Sequence, residues 1–268
     1  MVIDIHTHCF PDNLAPRAVP LLAEKGGISP FTDGTVACLK NSMKKAGIDF
    51  SVLQPIATKP EQTTGINRWA VSMQNGSIIA FGTLHPDYPD WKREIKWLWE
   101  AGIKGVKFHP DYQDFYVDDK KVFPIYEALA EAGMIMLFHA GKDIGYPPPY
   151  HCPPCRLRKV LDAFPGSIII AAHMGGYENT YQVEKYLVGQ DVYFDTSYSF
   201  DILGNGGMEK LIKQHGADRI LFGTDSPWKD QEREVDNIRS LNLTEDEMEK
   251  ILGGNAARIL KLLSVKLF

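Results

Sequence analysis

The sequence predicts an α/β protein, a (β/α)8 barrel formed by residues 1–268 as one domain, with a C-terminal helical tail. Three observations predict it. Eight short runs rich in Val, Ile, Leu and Phe alternate with helical patterns from end to end, and such alternation builds a parallel sheet. The chain has 268 residues, near the roughly 250 that eight βα units need. Histidines collect at the carboxyl ends of the apolar runs, which in a closed barrel ring one mouth. An open doubly wound sheet is the competing arrangement. No composition break marks a second domain.

The first run, Val2 to His8, reads as a strand that ends in two histidines. Alternation along a strand puts His6 and His8 on one face with Val2 and Asp4, and Ile3 and Ile5 on the other. Two imidazoles at i and i+2 can grip one metal ion, although a His-x-His pair is also common as packing. Residues 9–34 read as a long irregular segment, with Pro16, Pro20, Gly26, Gly27 and Pro30; loops of this length in compact domains carry function. Thr35 to Ala46 is helical and stops at Gly47. Phe50 to Ile56 is the second strand, and Ile66 to Asn75 the helix after it.

Ser77 to His85 is the third strand, followed by a helix from Trp91 to Glu100. Gly105 to His109 is the fourth, followed by a helix from Phe123 to Ala132. Met134 to His139 is the fifth. A proline-rich loop follows, and its Cys152-Pro153-Pro154-Cys155 reads as a stiff loop and helix start, with no partner motif for a metal or redox pair. Leu157, Val160, Leu161 and Phe164 have the spacing of a buried helix face. Ser167 to His173 is the sixth strand, Val192 to Ser197 the seventh and Arg219 to Asp225 the eighth, with helices at 181–188 and 208–215. In the tail, Thr244 and Glu247 form a capping box. Asn255 is expected to cap a last helix with Ile259, Leu260 and Leu263 facing inward.

Composition narrows the function. The net charge is −5 with no long basic run, which speaks against a nucleic-acid partner and against a membrane partner. No apolar run reaches the ~18 residues of a spanning helix. A strand that begins at Val2 leaves no room for a signal peptide, and four scattered cysteines read as reduced thiols of a cytoplasmic protein. A small-molecule substrate is expected. Assembly with copies of itself stays open.

His6 and His8 end strand one, His85 strand three, His109 strand four, His139 strand five and His173 strand six, while Asp225 ends strand eight. His139 shares a face with Ile135 and Leu137, His173 with Ile169 and Ala171, and Asp225 with Leu221 and Gly223. All three faces suit the barrel interior. Buried polar groups need partners, and a metal supplies one. Three imidazoles and a carboxylate suit Zn²⁺ with an open position for water; Mn²⁺ and Fe²⁺ also accept the set. His215 lies near a helix C-terminus, where the dipole suffices to explain it.

The ordered pieces Asp4-Ile5-His6-Thr7-His8, Gly105-Val106-Lys107-Phe108-His109-Pro110, His139, Ala172-His173-Met174-Gly175-Gly176, Gly223-Thr224-Asp225-Ser226-Pro227 and Gly254-Asn255-Ala256-Ala257-Arg258 resemble the amidohydrolase superfamily. The similarity is to its branch that includes aminocarboxymuconate-semialdehyde decarboxylase. It implies a TIM-like barrel with one catalytic divalent metal on His6, His8, His139 and Asp225, and His173 as an active-site histidine beside it. Asp225 would take the proton of a metal-bound water, and His173 would shuttle a proton or stabilise charge. Lys107, with His109 beside it, is expected to contact a substrate anion. The alternatives for Lys107 are a carboxylated bridge between two metals, as in binuclear relatives, with His173 then a ligand, or a structural ion pair. Asp4 is placed below His6 inside the barrel.

The first functional expectation is a metal-dependent hydrolase of an amide, lactone or ester. The alternative is a metal-dependent, non-oxidative decarboxylase of an unsaturated or aromatic acid. A third reading is a barrel that only binds. An arginine in the pocket would favour the decarboxylase, and the loop after strand one offers only Arg17. Tyr177, Tyr198 and Trp228 are candidates to line the pocket.

Overall fold

A computed structural model describes residues 1–262. The elements run β1 (Ile3–Thr7), α1 (Ala15–Gly26), α2 (Val36–Ala46), β2 (Phe50–Leu53), α3 (Thr63–Met73), β3 (Ile78–Ala80), β4 (Gly82–Thr83), α4 (Trp91–Glu100), β5 (Gly105–Phe108), α5 (Phe123–Glu131), β6 (Ile135–Phe138), α6 (Pro154–Ala163), β7 (Ile169–Ala171), α7 (Thr180–Tyr186), β8 (Tyr193–Asp195), α8 (Phe200–His215), β9 (Ile220–Leu221), α9 (Gln231–Arg239), α10 (Glu245–Glu249) and α11 (Asn255–Ile259). All strand pairs are parallel, in the orders β1-β2-β3 and β4-β5-β6-β7-β8-β9. Only Phe81 separates β3 from β4, so the two form one stave, the expected third strand interrupted. The ring closes between β9 and β1: Ile5 N donates to Phe222 O at 2.9 Å and Asp225 N to His6 O at 2.8 Å. Eight staves result, a TIM barrel.

Buried apolar residues alternate between two clusters. Ile3, Ile5, Val52, Phe81, Ile135, Leu137, Ile170, Ala172 and Leu221 fill the barrel interior, and Ala256, Ala257 and Leu260 close it from below. Val2, Leu53, Val106, Phe108, Met136, Phe138, Ile169, Ala171, Phe194 and Phe222 pack outward against the helices. This corrects the parity expected for two strands. Ile3 and Ile5 point inward, and Asp4 faces α9, where Gln231 Nε2 donates to its carboxylate at 2.7 Å. The register of β1 breaks between Asp4 and Thr7, and beyond the break His6 and His8 turn to the mouth. Ile169 and Ala171 face the shell. His173 reaches the mouth because its backbone swings to φ +58°.

Other local expectations need correction. Residues 15–26 form α1, where an irregular segment was expected. Pro16 lies in the first turn, where a missing N–H costs nothing, and Ala15, Val19 and Ala23 bury one face. Helix α9 went unread because half of its buried face is polar: Gln231 and Glu234 beside Val235 and Ile238. Thr244 and Glu247 do form the capping box. Asn255 does not cap; its Nδ2 donates to Ala217 O at 2.7 Å and Ile220 O at 2.8 Å, which ties the tail to β9. Leu263 lies outside the described residues. All four cysteines are free thiols. Among the described residues no helix is long and apolar enough to cross a membrane.

Candidate active site

The carboxyl ends of the staves surround a cavity of about 480 Å³, lined by His6, His8, Lys107, His109, His139, His173 and Asp225. Each residue singled out from the sequence for chemistry reaches this cavity. Tyr177, Tyr198 and Trp228 line it too, while His85 and His151 do not. Above the polar floor the walls are apolar, with Phe10, Leu14, Ile28, Ile56, Ile66 and Trp69.

His6, His8 and Asp225 converge. His6 Nε2 lies 3.2 Å from His8 Nε2, and Asp225 Oδ1 lies 3.5 Å from the first and 3.2 Å from the second. The Nδ1 atoms are committed elsewhere. His8 Nδ1 faces Gln54 O at 2.8 Å, and a carbonyl only accepts, so that nitrogen carries the proton. His6 Nδ1 faces Asp195 Oδ2 at 2.9 Å, with the same consequence. Burial and the Lys107 charge lower the His6 pKa to about 4, against the pull of Asp195, so the ring is neutral at pH 7. Two unprotonated Nε2 atoms therefore face each other beside a carboxylate, and Lys107 Nζ lies 3.0 Å from the first. Two imidazoles and a carboxylate whose donor atoms converge on one point are a set that fits a divalent metal.

Burial pushes the Asp225 carboxyl up, but the His8 hydrogen bond and the charges of His6, His8 and His173 hold it well below the usual range. Its backbone sits at φ +68°, a strained conformation of the kind found at functional sites.

His139 stands apart from this triad. Its Nδ1 lies 3.0 Å from His173 Nε2, and it groups with His109 and Asp143. Its ring stacks on His109 with centroids 4.1 Å apart, and His109 Nε2 meets Asp143 Oδ2 at 3.2 Å. Burial holds both imidazoles well below their ordinary pKa.

Lys107 is wholly buried, with Nζ 3.0 Å from His6 Nε2. Burial lowers its pKa to about 8, opposed by Asp195 and Asp225. No arginine lines the cavity among the described residues; Arg17 is exposed on α1 and the lining cations are Lys107 and Lys142.

Sequence reasoning missed Gln54, Asp143, Asp195 and Ser197, which contact the histidines. Asp195 and Ser197 had a legible signal, since both close the seventh expected strand. Gln54 and Asp143 follow strand ends but carry no motif.

A family model described as amidohydrolase matches residues 3–262. A gamma-resorcylate decarboxylase from Polaromonas sp. is 29% identical over 120 residues, an alignment that spans 38% of this chain and 37% of that protein's length. The structure of 2,6-dihydroxybenzoate decarboxylase from Rhizobium superposes with a TM-score of 0.75 at 19% identity, over 98% of this chain and 99% of that one. A dihydroxybenzoic acid decarboxylase from Polaromonas sp., with bound manganese and 2-nitroresorcinol, gives 0.73 at 17% identity over 99% and 98%. These likenesses overturn the expectation of an amide, lactone or ester hydrolase: the activities named for these three relatives are decarboxylations.

Proposed function

The chain belongs to the amidohydrolase family, and we propose that it is a metal-dependent, non-oxidative decarboxylase of an aromatic or unsaturated carboxylic acid. One observation carries this reading: His6, His8, Asp225 and Lys107 share the floor of a cavity whose walls are mostly apolar. That arrangement suits an acid with a flat, apolar body and its charged end down.

His6, His8 and Asp225 would hold the metal, and His139 from the same cavity would complete the set. Mn²⁺ and Zn²⁺ both take imidazole and carboxylate donors, and the manganese of a structural relative supports the former. When bound, the ion supplies Lewis-acid polarisation of a substrate oxygen.

The chain's own groups do the rest. Lys107 Nζ pairs with the substrate anion from beneath, and His109 borders it. The apolar walls exclude water and so strengthen that pairing. Loss of CO2 leaves an electron pair on carbon, which must gain a proton. His173 Nε2 and the Asp225 carboxylate are the groups that can hold a proton at the floor and move it there. Four free thiols support a reducing, cytoplasmic setting.

The test is incubation of the Mn²⁺-loaded protein with a panel of hydroxybenzoates and unsaturated acids, following CO2 release. Turnover that is lost in His173→Asn supports the reading. No CO2 from any member by a protein that holds its metal would sink it.

A further inference from the structure

Strand β8 ends at Asp195, and Thr196 and Ser197 follow it. Asp195 and Ser197 are fully buried behind the cavity wall, yet they contact both histidines argued to do the chemistry. Asp195 Oδ2 takes His6 Nδ1 at 2.9 Å. Its other oxygen accepts the Ser197 hydroxyl at 2.5 Å, the Ser197 N–H at 3.1 Å and the His173 N–H at 3.0 Å. With its proton given to Asp195, Ser197 Oγ is an acceptor for the rest. It lies 3.0 Å from His6 Nδ1 and 2.9 Å from His173 Nδ1, which also faces Ser197 O at 3.1 Å.

The hydrogen count closes in one way. Both Nδ1 atoms meet only acceptors, so both carry the proton, and both Nε2 atoms are left unprotonated. The backbone belongs to the same device. His173 and Met174 sit at φ +58° and +52°, a region that residues with a side chain avoid. The carboxylate of Asp195 holds the N–H of the first, and its carbonyl holds the N–H of the second at 2.7 Å.

We propose that Asp195 and Ser197 form one positioning unit that fixes, together, the metal-facing Nε2 of His6 and the cavity-facing Nε2 of His173. Neither touches substrate. The unit would make the metal end and the proton-handling end of the site share a single tautomer lock. Its value for metal affinity rests on the metal-dependent reading above; the lock itself does not.

The experiment uses the full chain labelled with 15N-histidine and freed of metal by chelation. Multiple-bond proton–nitrogen spectra report which ring nitrogen carries the proton, and calorimetric titration with Mn²⁺ reports affinity. In the wild type His6 and His173 show protonated Nδ1. In Asp195→Asn the amide can donate to His6 Nδ1, so the proton moves to Nε2 and Mn²⁺ affinity falls about 10–100-fold. Ser197→Ala, a milder change, keeps the His6 signature through Asp195 and lowers the share of His173 protonated at Nδ1; Ser197→Thr restores it. A wild-type His6 protonated at Nε2, or an Asp195→Asn chain with unchanged tautomer and affinity, overturns the proposal. A wild type with both Nδ1 signatures that binds no Mn²⁺ supports the lock and retires the metal reading instead.

Discussion

At the scale of single residues, the triad of His6, His8 and Asp225 invites the most direct test. Each offers one donor atom, and the three atoms lie within 3.5 Å of one another. His6→Ala or Asp225→Asn is expected to reduce bound metal from near one equivalent per chain to less than about a tenth, with a loss of turnover of at least about 100-fold. Elemental analysis of the purified variants decides it; full metal content in both would refute the ligand assignment. Lys107→Met should keep one equivalent and raise KM for the acid about tenfold or more. Loss of metal in that variant would instead favour the bridging role.

His215 shows how a residue can be legible as a type and misread in place. The helix dipole does not account for it: the ring is buried, stacks on Phe194 at 3.9 Å, donates from Nε2 to Val192 O and accepts the Gly189 N–H at Nδ1. Burial lowers its pKa to about 4, partly opposed by the Val192 bond. The folded state thus refuses a proton that the unfolded chain accepts near pH 6.5. This contribution is whole above pH 6.5 and is lost as pH falls towards 4, up to about 3 kcal/mol. The stability advantage of the wild type over His215→Asn, measured by denaturant titration, should shrink by that order between pH 7 and pH 4. A constant difference would show that His215 does not titrate as described.

At the scale of elements, motif and periodicity made the staves and most helices legible, because each stave must bury apolar residues and each helix must cover them. What failed was local and physical. Prolines disguised α1, although Pro16 occupies a first turn. A polar buried face hid α9. Strict alternation misplaced Asp4, Ile169 and Ala171, since a register break and a left-handed residue reset the faces. The site residues stood at strand ends and could be read, as Asp195 and Ser197 could have been; Gln54 and Asp143, which support the histidines from loops, carried no such flag.

The loops after β6 and β7 meet at a glycine. Gly141 follows β6 at φ +86°, bridges to Cys152 and Tyr177, and a Cβ there would lie 2.3 Å from Tyr177 N. Backbone cannot yield as a side chain can. Gly141→Ala is therefore expected to destabilise by on the order of 2–4 kcal/mol and to lower Tm by about 5–10 °C in a thermal melt. A Tm within about 1 °C of the wild type would show that the loop after β7 moves freely.

At the scale of the whole molecule, the barrel must join its first stave to its last. Strand β9 spans only Ile220–Leu221, and the closure rests on bonds from Ile5, His8 and Asp225 N–H to Phe222, Ser226 and His6 carbonyls. The proposed metal would take His6 and His8 from one side of this seam and Asp225 from the other. It would thus clip together segments more than 200 residues apart in sequence, a long loop whose closure is entropically unfavourable. Binding to the folded chain alone stabilises by mass action, about 2.7 kcal/mol at a free metal concentration of 100 Kd. The distribution of that gain distinguishes a clip from a passive guest. Hydrogen exchange with and without Mn²⁺ should show protection rising first at the amides of Ile5, His8 and Asp225. The amides paired across β5 and β6, far round the ring, should gain only what the global stability gives them. An even gain around the ring would mean that the metal binds without closing the seam, and metal removal would then lower Tm without opening the barrel there.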